Sequence, residues 1–290
     1  MTNLWMSSRT VYVTKADGSL QPYDRGKVVS VCLRLHASQE EAELVADRVE
    51  ERLYDGIPTR EIIRMVYEYL GELKPHLKPI MDLREALGAI RSKPDFEEYV
   101  RAMFRELGYR TRPATVVRGF CVEHEIDGIL ERDVEVLCLE VKHHTQPHVK
   151  VRLEELLKLR SVFEDLRRGY ENGLNNLPLS GALMVSNAKF SEMAVRYAKC
   201  VGIRVLGWNT PRGGGIERLI DEYGLHPVTS LKELSRDQVE RLCDAGICTL
   251  RELSRMDAEK VSSATGLPLE LAERIVSDSS RFLRVHGVRV

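Results

Sequence analysis

EHEIDGILERDVEVLCLEVKHH, residues 123–144, decides how the middle of this chain is read. Two apolar-rich runs flank a polar turn near Arg132-Asp133, the pattern of two neighbouring strands. At the end of the second run, Glu140 and Lys142 stand two residues apart and so point to one face. Burying such a pair is costly unless it is fully paired or holds a metal. A strand end of this kind therefore marks either an edge that reaches water or a working site. Asp127 lies in the first run, on the same face as Glu125, and adjacent strands bring Asp127 and Glu140 within reach of one cation. Two carboxylates offer the hard oxygen ligands of Mg²⁺ (or Mn²⁺). Such a metal polarises a phosphodiester and acidifies a bound water, while a nearby lysine orients that water or stabilises developing charge. The bland alternative is a surface ion pair at a strand end.

Outward from this pair, the segment 91–212 reads helix, strand, strand, helix, strand, helix, strand. DFEEYVRAMFRELGY places Phe96, Tyr99, Val100, Met103 and Leu107 on one side of a helix. TVVRGFCVEHEIDGILE reads as one long strand. LSGALMVSN and GIRVLGW read as buried strands joined through the helix KFSEMAVRYAKCV, an α/β crossover. The Asp127…Glu140-x-Lys142 order within this frame resembles the PD-(D/E)xK nucleases, and most closely the Mrr-like restriction endonuclease branch. That resemblance implies a restriction-endonuclease-like α/β mixed-sheet core and metal-dependent cleavage of DNA. It implies that Asp127 and Glu140 hold the metal, that Lys142 assists the water, and that Glu97, or its rival Glu98, is the supporting helix glutamate. Glu125 is a further ligand or a water-positioning base. His124 points the other way and reads as packing. His143, His144 and His148 lack cysteine or carboxylate partners at zinc spacing and read as phosphate-side or surface groups.

Residues 1–90 contain RTVYVTKADGSLQPYDRGKV, a hairpin turning at Asp17-Gly18 with a helix start at Asp24, followed by amphipathic helices with Ser38 and Thr59 as N-caps. The plain reading is a small helical bundle with a hairpin, used to build a homo-oligomer. VTKADG…PYDRGKV with GIPTREI resembles the ATP-cone, the nucleotide-binding regulatory module of ribonucleotide reductases and related repressors. The resemblance implies an ATP or dATP effector, bound around Lys15, Asp17, Gly18 and Lys27. Ala16 stands where that family usually has arginine, which removes one phosphate contact. No GxxxxGK[ST] is present, so a P-loop ATPase is not supported.

PRGGGIE, residues 211–217, reads as a flexible connector out of the domain, and residues 213–225 as the linker. Residues 226–290 are helical, with turns at DAGICT and ATGLPL. This repeat resembles a tandem helix-hairpin-helix domain, which implies that Gly246 and Gly266 aim backbone amides at DNA phosphates. The segment carries 10 Lys+Arg against 10 Asp+Glu, so it has no basic bias. A protein-interaction or structural helical domain, with the glycines as plain turn formers, is the competing reading.

The totals agree with a folded multidomain protein. Net charge is −1, so any nucleic-acid contact depends on local patches rather than a global field. The six cysteines form no CxxC pair, which favours reduced thiols in a cytoplasmic protein over disulfides or zinc. No apolar run reaches the roughly 18 residues of a membrane span. The expected fold class is thus α/β and α: an ATP-cone, a nuclease core and an all-α helix-hairpin-helix tail. The expected function is a Mg²⁺-dependent DNA endonuclease regulated by an adenine nucleotide. A nucleotide-sensing DNA-binding regulator with a non-cleaving nuclease fold, or a structural adaptor, are the alternatives.

Overall fold

The computed structural model describes residues 10–15, 18–35, 37–73, 81–146 and 149–285. The chain divides into two compact units, Met1–Lys78 and Pro79–Val290.

In the first unit, β1 (Tyr12–Thr14) and β2 (Leu20–Pro22) form the hairpin, and α1 (Arg25–Arg34) and α2 (Gln39–Glu50) follow. Strand β3 (Ile57–Pro58) pairs in parallel with β1 and leads into α3 (Thr59–Leu73). Gly18, with φ +80°, supplies the left-handed residue the turn requires. Ser38 forms a full capping box with Glu41. Thr59 opens α3 itself, and its hydroxyl donates to the Thr14 carbonyl at 3.1 Å, stitching helix to hairpin. Ala42, Val45, Ala46 and Val49 bury the inner face of α2.

The second unit opens with α4 (Leu83–Ala89) and α5 (Glu97–Glu106). Strands β4 (Arg110–Arg112), β5 (Thr115–Arg118), β6 (Glu123–Ile126), β7 (Gly128–Arg132), β8 (Glu135–Lys142) and β9 (Lys150–Val151) come next. Helix α6 (Leu153–Glu171), β10 (Gly181–Ser186), β11 (Lys189–Phe190), α7 (Glu192–Val201) and β12 (Arg204–Leu206) complete the α/β part. The central sheet runs β12-β10-β8-β7-β4, with β8, β10 and β12 parallel and β4 and β7 antiparallel. Cys138, Ala182 and Met184 from this sheet pack with Leu156, Leu159 and Phe163 of α6 and Ala194 and Ala198 of α7.

The expected single strand over 115–131 is broken. Residues 119–122 turn sharply, and β5–β6 form a separate two-stranded ribbon beside the main sheet. Asp165 on α6 causes the break. Its carboxylate accepts the amides of Cys121 and Val122 and bonds His124 at 2.8 Å.

The expected flexible connector is also corrected. Helix α8 (Ile216–Tyr223) occupies it and buries Ile216 and Ile220 fully. A Cβ on Gly215 would collide with the backbone of Asn209 and Gly207, so this glycine is there for close packing. Helices α9 (Arg236–Asp244), α10 (Leu250–Ser254), α11 (Ala258–Thr265) and α12 (Leu269–Val285) then form the tail. The tail is fused to the nuclease-like part. Tyr99 donates its hydroxyl to the Leu225 carbonyl at 2.9 Å, Thr229 donates to Ala86 at 2.7 Å, and Arg251 and Arg255 both clasp Glu106.

Tyr99 is fully buried, so Tyr99→Phe leaves a buried carbonyl without this donor. The expected cost is about 1–3 kcal/mol. Urea unfolding followed by fluorescence checks it, and residues 81–285 should melt with one midpoint rather than as core and tail separately.

Candidate active site

The site forms where β6, β7 and β8 end against α5. Asp127 sits between β6 and β7, directly after the residue that closes the ribbon. Its Oδ2 accepts the Val141 amide at 2.7 Å, and its own amide donates to Leu139 at 3.2 Å. Its carbonyl accepts Arg101 Nη1 at 2.7 Å. Arg101 is itself buried and anchored by Glu98, with Nε donating at 3.0 Å. The backbone around Asp127 is thus fixed from both sides, and Oδ1 is left to face the cluster.

That cluster surrounds Lys93. Its Nζ lies 3.0 Å from Glu97 Oε1, 3.3 Å from Asp127 Oδ1 and 3.8 Å from Glu125 Oε1. The Glu97 and Asp127 side chains are 6% and 8% exposed, whereas that of Glu125 is 66% exposed. Glu97 is therefore the helix glutamate that reaches the cluster. Its rival Glu98 is spent on Arg101 and Arg105.

Glu140 follows Asp127's neighbours in register, since Gly128 pairs with Leu139. Lys142 Nζ bonds Glu140 Oε1 at 2.9 Å and Glu155 of α6 at 3.1 Å. Burial pushes the Glu140 carboxyl up, repulsion from Asp127 adds to this, and the Lys142 bond opposes it. Burial likewise raises Glu97 against the pull of Lys93. Burial alone would lower Lys142, yet its bonds to Glu140 and Glu155 carry it above the usual lysine range. Lys93 is raised in the same sense, chiefly by Glu97.

Of the residues expected at the site, the structure sets Glu97, Asp127 and Glu125 around Lys93, and pairs Glu140 with Lys142, which also meets Glu155. Sequence reasoning missed Lys93, Arg101 and Glu155. Lys93 lies in extended backbone ahead of the helix (φ −132°, ψ 136°), so helical spacing to Glu97 gave no signal for it; Arg101 and Glu155 gave no signal beyond ordinary helix-surface charge. Among the described residues, no three His, Cys, Asp or Glu close into a ready-made metal cage. The donor set nonetheless fits Mg²⁺, which binds through one or two carboxylates and keeps several waters. Three carboxylates converge on one ammonium here, that of Lys93.

The histidines are corrected. His143 is half-buried, contacting the Leu87 carbonyl through Nε2 at 2.9 Å and Ser92 through Nδ1 at 2.8 Å, with its ring 4.6 Å from Phe96. It braces α4 and the segment before α5. His144 exchanges two backbone bonds with the Asn187 side chain. His148 lies outside the described residues. His124 bonds Asp165 and packs, as expected.

In the first unit, Lys15 closes the hairpin turn through its backbone, and Lys27 Nζ lies 3.5 Å from Asp24, its side chain 64% exposed. Ala16 and Asp17 lie outside the described residues. In the tail, Gly246 and Gly266 take φ +77° and +68°. The amides of Cys248 and Thr249 after Gly246 already donate to the Glu252 carboxylate, at 3.0 and 3.1 Å. A protein carboxylate thus occupies the place expected for a phosphate at this turn.

Comparison with known proteins agrees with this architecture. Residues 11–78 match the family model of the ATP cone domain, and residues 91–207 match that of a restriction endonuclease domain. The chain therefore carries an ATP-cone domain followed by a restriction-endonuclease domain. An uncharacterized protein of Archaeoglobus fulgidus is 32% identical over 181 residues, spanning 62% of this chain and 98% of the relative. The crystal structure of AF1548, a protein of unknown function, superimposes with a TM-score of 0.55 at 31% identity, covering 66% of this chain and 97% of the other. This chain belongs to the family of that Archaeoglobus protein. No helix among the described residues is long and apolar enough to cross a membrane.

Burial holds His143 and His144 below the usual imidazole value of 6.5. The unfolded chain then takes up protons first as pH falls, so stability is full above about 6.5 and declines below it. The raised carboxyls Glu97 and Glu140 act in the opposite sense at lower pH. Chemical denaturation from pH 7.5 to 5 should show a shallower acid decline in His143→Gln than in the parent, because the variant lacks this one proton uptake.

Proposed function

We propose that this protein is a Mg²⁺- or Mn²⁺-dependent endonuclease that hydrolyses DNA phosphodiester bonds, with ATP or dATP bound by the ATP-cone as its effector. The observation that carries this reading is the convergence of Glu97, Asp127 and Glu125 on one cation beside the Glu140–Lys142 pair. Asp127 and Glu140 would hold the metal, supported by Glu97. When bound, the metal supplies Lewis-acid polarisation of the phosphate and an acidified water.

The chain's own groups do the rest. Lys142 is held protonated between Glu140 and Glu155, so it donates hydrogen bonds and stabilises negative charge rather than accepting a proton. The exposed carboxylate of Glu125 is free to lean toward an attacking water and orient it. Arg101, through the Asp127 carbonyl, keeps the Asp127 carboxylate from rotating out of line. Oδ2 of Asp127 is engaged by the Val141 amide, which leaves Oδ1 as the oxygen turned toward the cluster.

Glu252 leaves the Gly246 turn a structural role, and Gly266 is the tail glycine retained here as a DNA-backbone contact. The N-terminal helices offer a surface for a homo-oligomer.

Cleavage of plasmid, linear and single-stranded DNA, with Mg²⁺ or EDTA, tests the proposal. Asp127→Ala and Lys142→Ala should each lower the rate by roughly 10²-fold or more while the fold is kept. Unchanged rates would refute the assignment. A parent that binds DNA and nucleotide but never cuts would establish the regulator reading instead.

Calorimetry addresses the effector. ATP or dATP should bind the full chain, and Lys15→Ala with Lys27→Ala should weaken binding by about tenfold or more, as loss of charge-assisted hydrogen bonds requires. No heat at millimolar nucleotide would assign the domain a purely structural role.

A further inference from the structure

We propose that Lys93 is a built-in occupant of the metal position, which the divalent ion displaces into an adjoining cleft where its ammonium meets a substrate phosphate. This rests on the metal-site reading above and assigns a role to a residue that reading does not use.

Three observations carry it. The first is position. The Lys93 ammonium lies between Glu97, Asp127 and Glu125, at 3.0, 3.3 and 3.8 Å, and so neutralises two of the acids, Asp127 and Glu97, that would bind or support a metal, while Glu140 is paired with Lys142. Two like charges crowded in a partly buried site repel strongly without a counter-ion. An ammonium and a divalent ion cannot share that point.

The second is the asymmetry of mobility. Glu97 and Asp127 are nearly closed off, while the Lys93 side chain is 62% exposed. Asp127 is fixed by Val141 and its backbone by Arg101. Lys93 reaches in on a flexible four-carbon stem from the solvent side. Glu97 Oε1 is buried and meets Lys93 as an ion pair outside regular hydrogen-bond geometry, so the ammonium satisfies it incompletely. In an exchange of cations, the lysine is the partner that moves.

The third is where it would go. Lys93 also lines a cleft of about 490 Å³ formed by residues 88–92 with Thr145 and Arg236. No acidic side chain lines this cleft. Arg236 comes from α9, so the tail completes it. Arg236 is already paired with Glu240 and Arg91 with Asp95 and Asp244, so a displaced Lys93 is what brings the cleft a charge without a carboxylate partner, and the anion next to a phosphodiester-cleaving centre is a phosphate of the nucleic-acid backbone. Loading the metal would thus charge the cleft for the substrate.

The test uses the full chain with ¹⁵N-labelled lysine. The Lys93 ammonium resonance, identified by its absence in Lys93→Gln, should shift or broaden into solvent exchange as Mg²⁺ saturates the protein. Mn²⁺ binding followed by electron paramagnetic resonance should be about tenfold tighter in Lys93→Gln, the factor expected when a competitor filling about nine sites in ten is removed. In Ca²⁺, Lys93→Gln and Arg236→Gln should both bind a duplex DNA probe several-fold more weakly than the parent. If the parent binds Mn²⁺ but Lys93→Gln binds it no tighter, or the Lys93 resonance does not respond to Mg²⁺, the displacement is wrong and the metal site stands. If neither protein binds Mn²⁺, the metal-site reading falls and this inference falls with it.

Discussion

Carboxylates gathered at the end of one sheet repel, and the second unit is organised around containing that repulsion. At an effective dielectric near 20, like charges about 4 Å apart oppose one another by about 4 kcal/mol. Glu97, Asp127, Glu140 and Glu155 would not assemble without cations between them. Lys93 serves the first two, Lys142 the last two, and buried Arg101 steadies the backbone beneath. Each cation comes from a different element: the segment before α5, the end of β8 and the body of α5. The same pairs that balance charge therefore also fix the angle between α5, β8 and α6. Geometry at this point and fold of the unit are one constraint.

That constraint reaches the tail. Helix α5 carries Glu97 on one side, while on others Tyr99 bonds Leu225 and Glu106 takes both Arg251 and Arg255. Arg91, just ahead of Lys93, ties to Asp95 and Asp244. The helical tail thus clamps the helix that positions the carboxylate. A tail appended through a loose linker would leave α5 free to slide. The packed helix α8 removes that freedom, and this is a physical reason for a tail with no basic bias to be kept beside a site of this chemistry.

Much of this was legible in the residues. The alternation of Leu137, Leu139 and Val141 with Cys138, Glu140 and Lys142 places the strand and its faces without any knowledge of the partners. The hairpin at Gly18 and the helix at Ser38 follow from turn and capping chemistry. What stayed hidden depended on residues far apart in sequence. TVVRGFCVEHEIDGILE looks like one strand because its apolar pattern never lapses. The break at residues 119–122 is imposed by Asp165, more than 40 positions away, which captures two amides and His124. Gly119 permits that approach, since any Cβ there would run into the Asp165 carboxylate. In the same way the glycines of PRGGGIE look like flexibility, and Gly215 is in fact required by close backbone contact. Glycine composition does not distinguish the two uses.

Lys93 was missed for a different reason. A lysine followed by proline and an acidic residue at a helix start reads as solvated surface, and its side chain is indeed mostly exposed. Exposure and function are compatible here because the charge it answers is buried. Asp127 is held by burial and by the Val141 amide, and Glu97 by burial with Arg101 at 4.0 Å, so the pocket keeps its shape whichever positive charge fills it. Under the proposed function, a site preformed in this way would take a metal without reorganising Glu97 or Asp127. The energetic work of loading would then fall on the exchange of one cation for another, at the solvent-facing edge where a lysine can move freely.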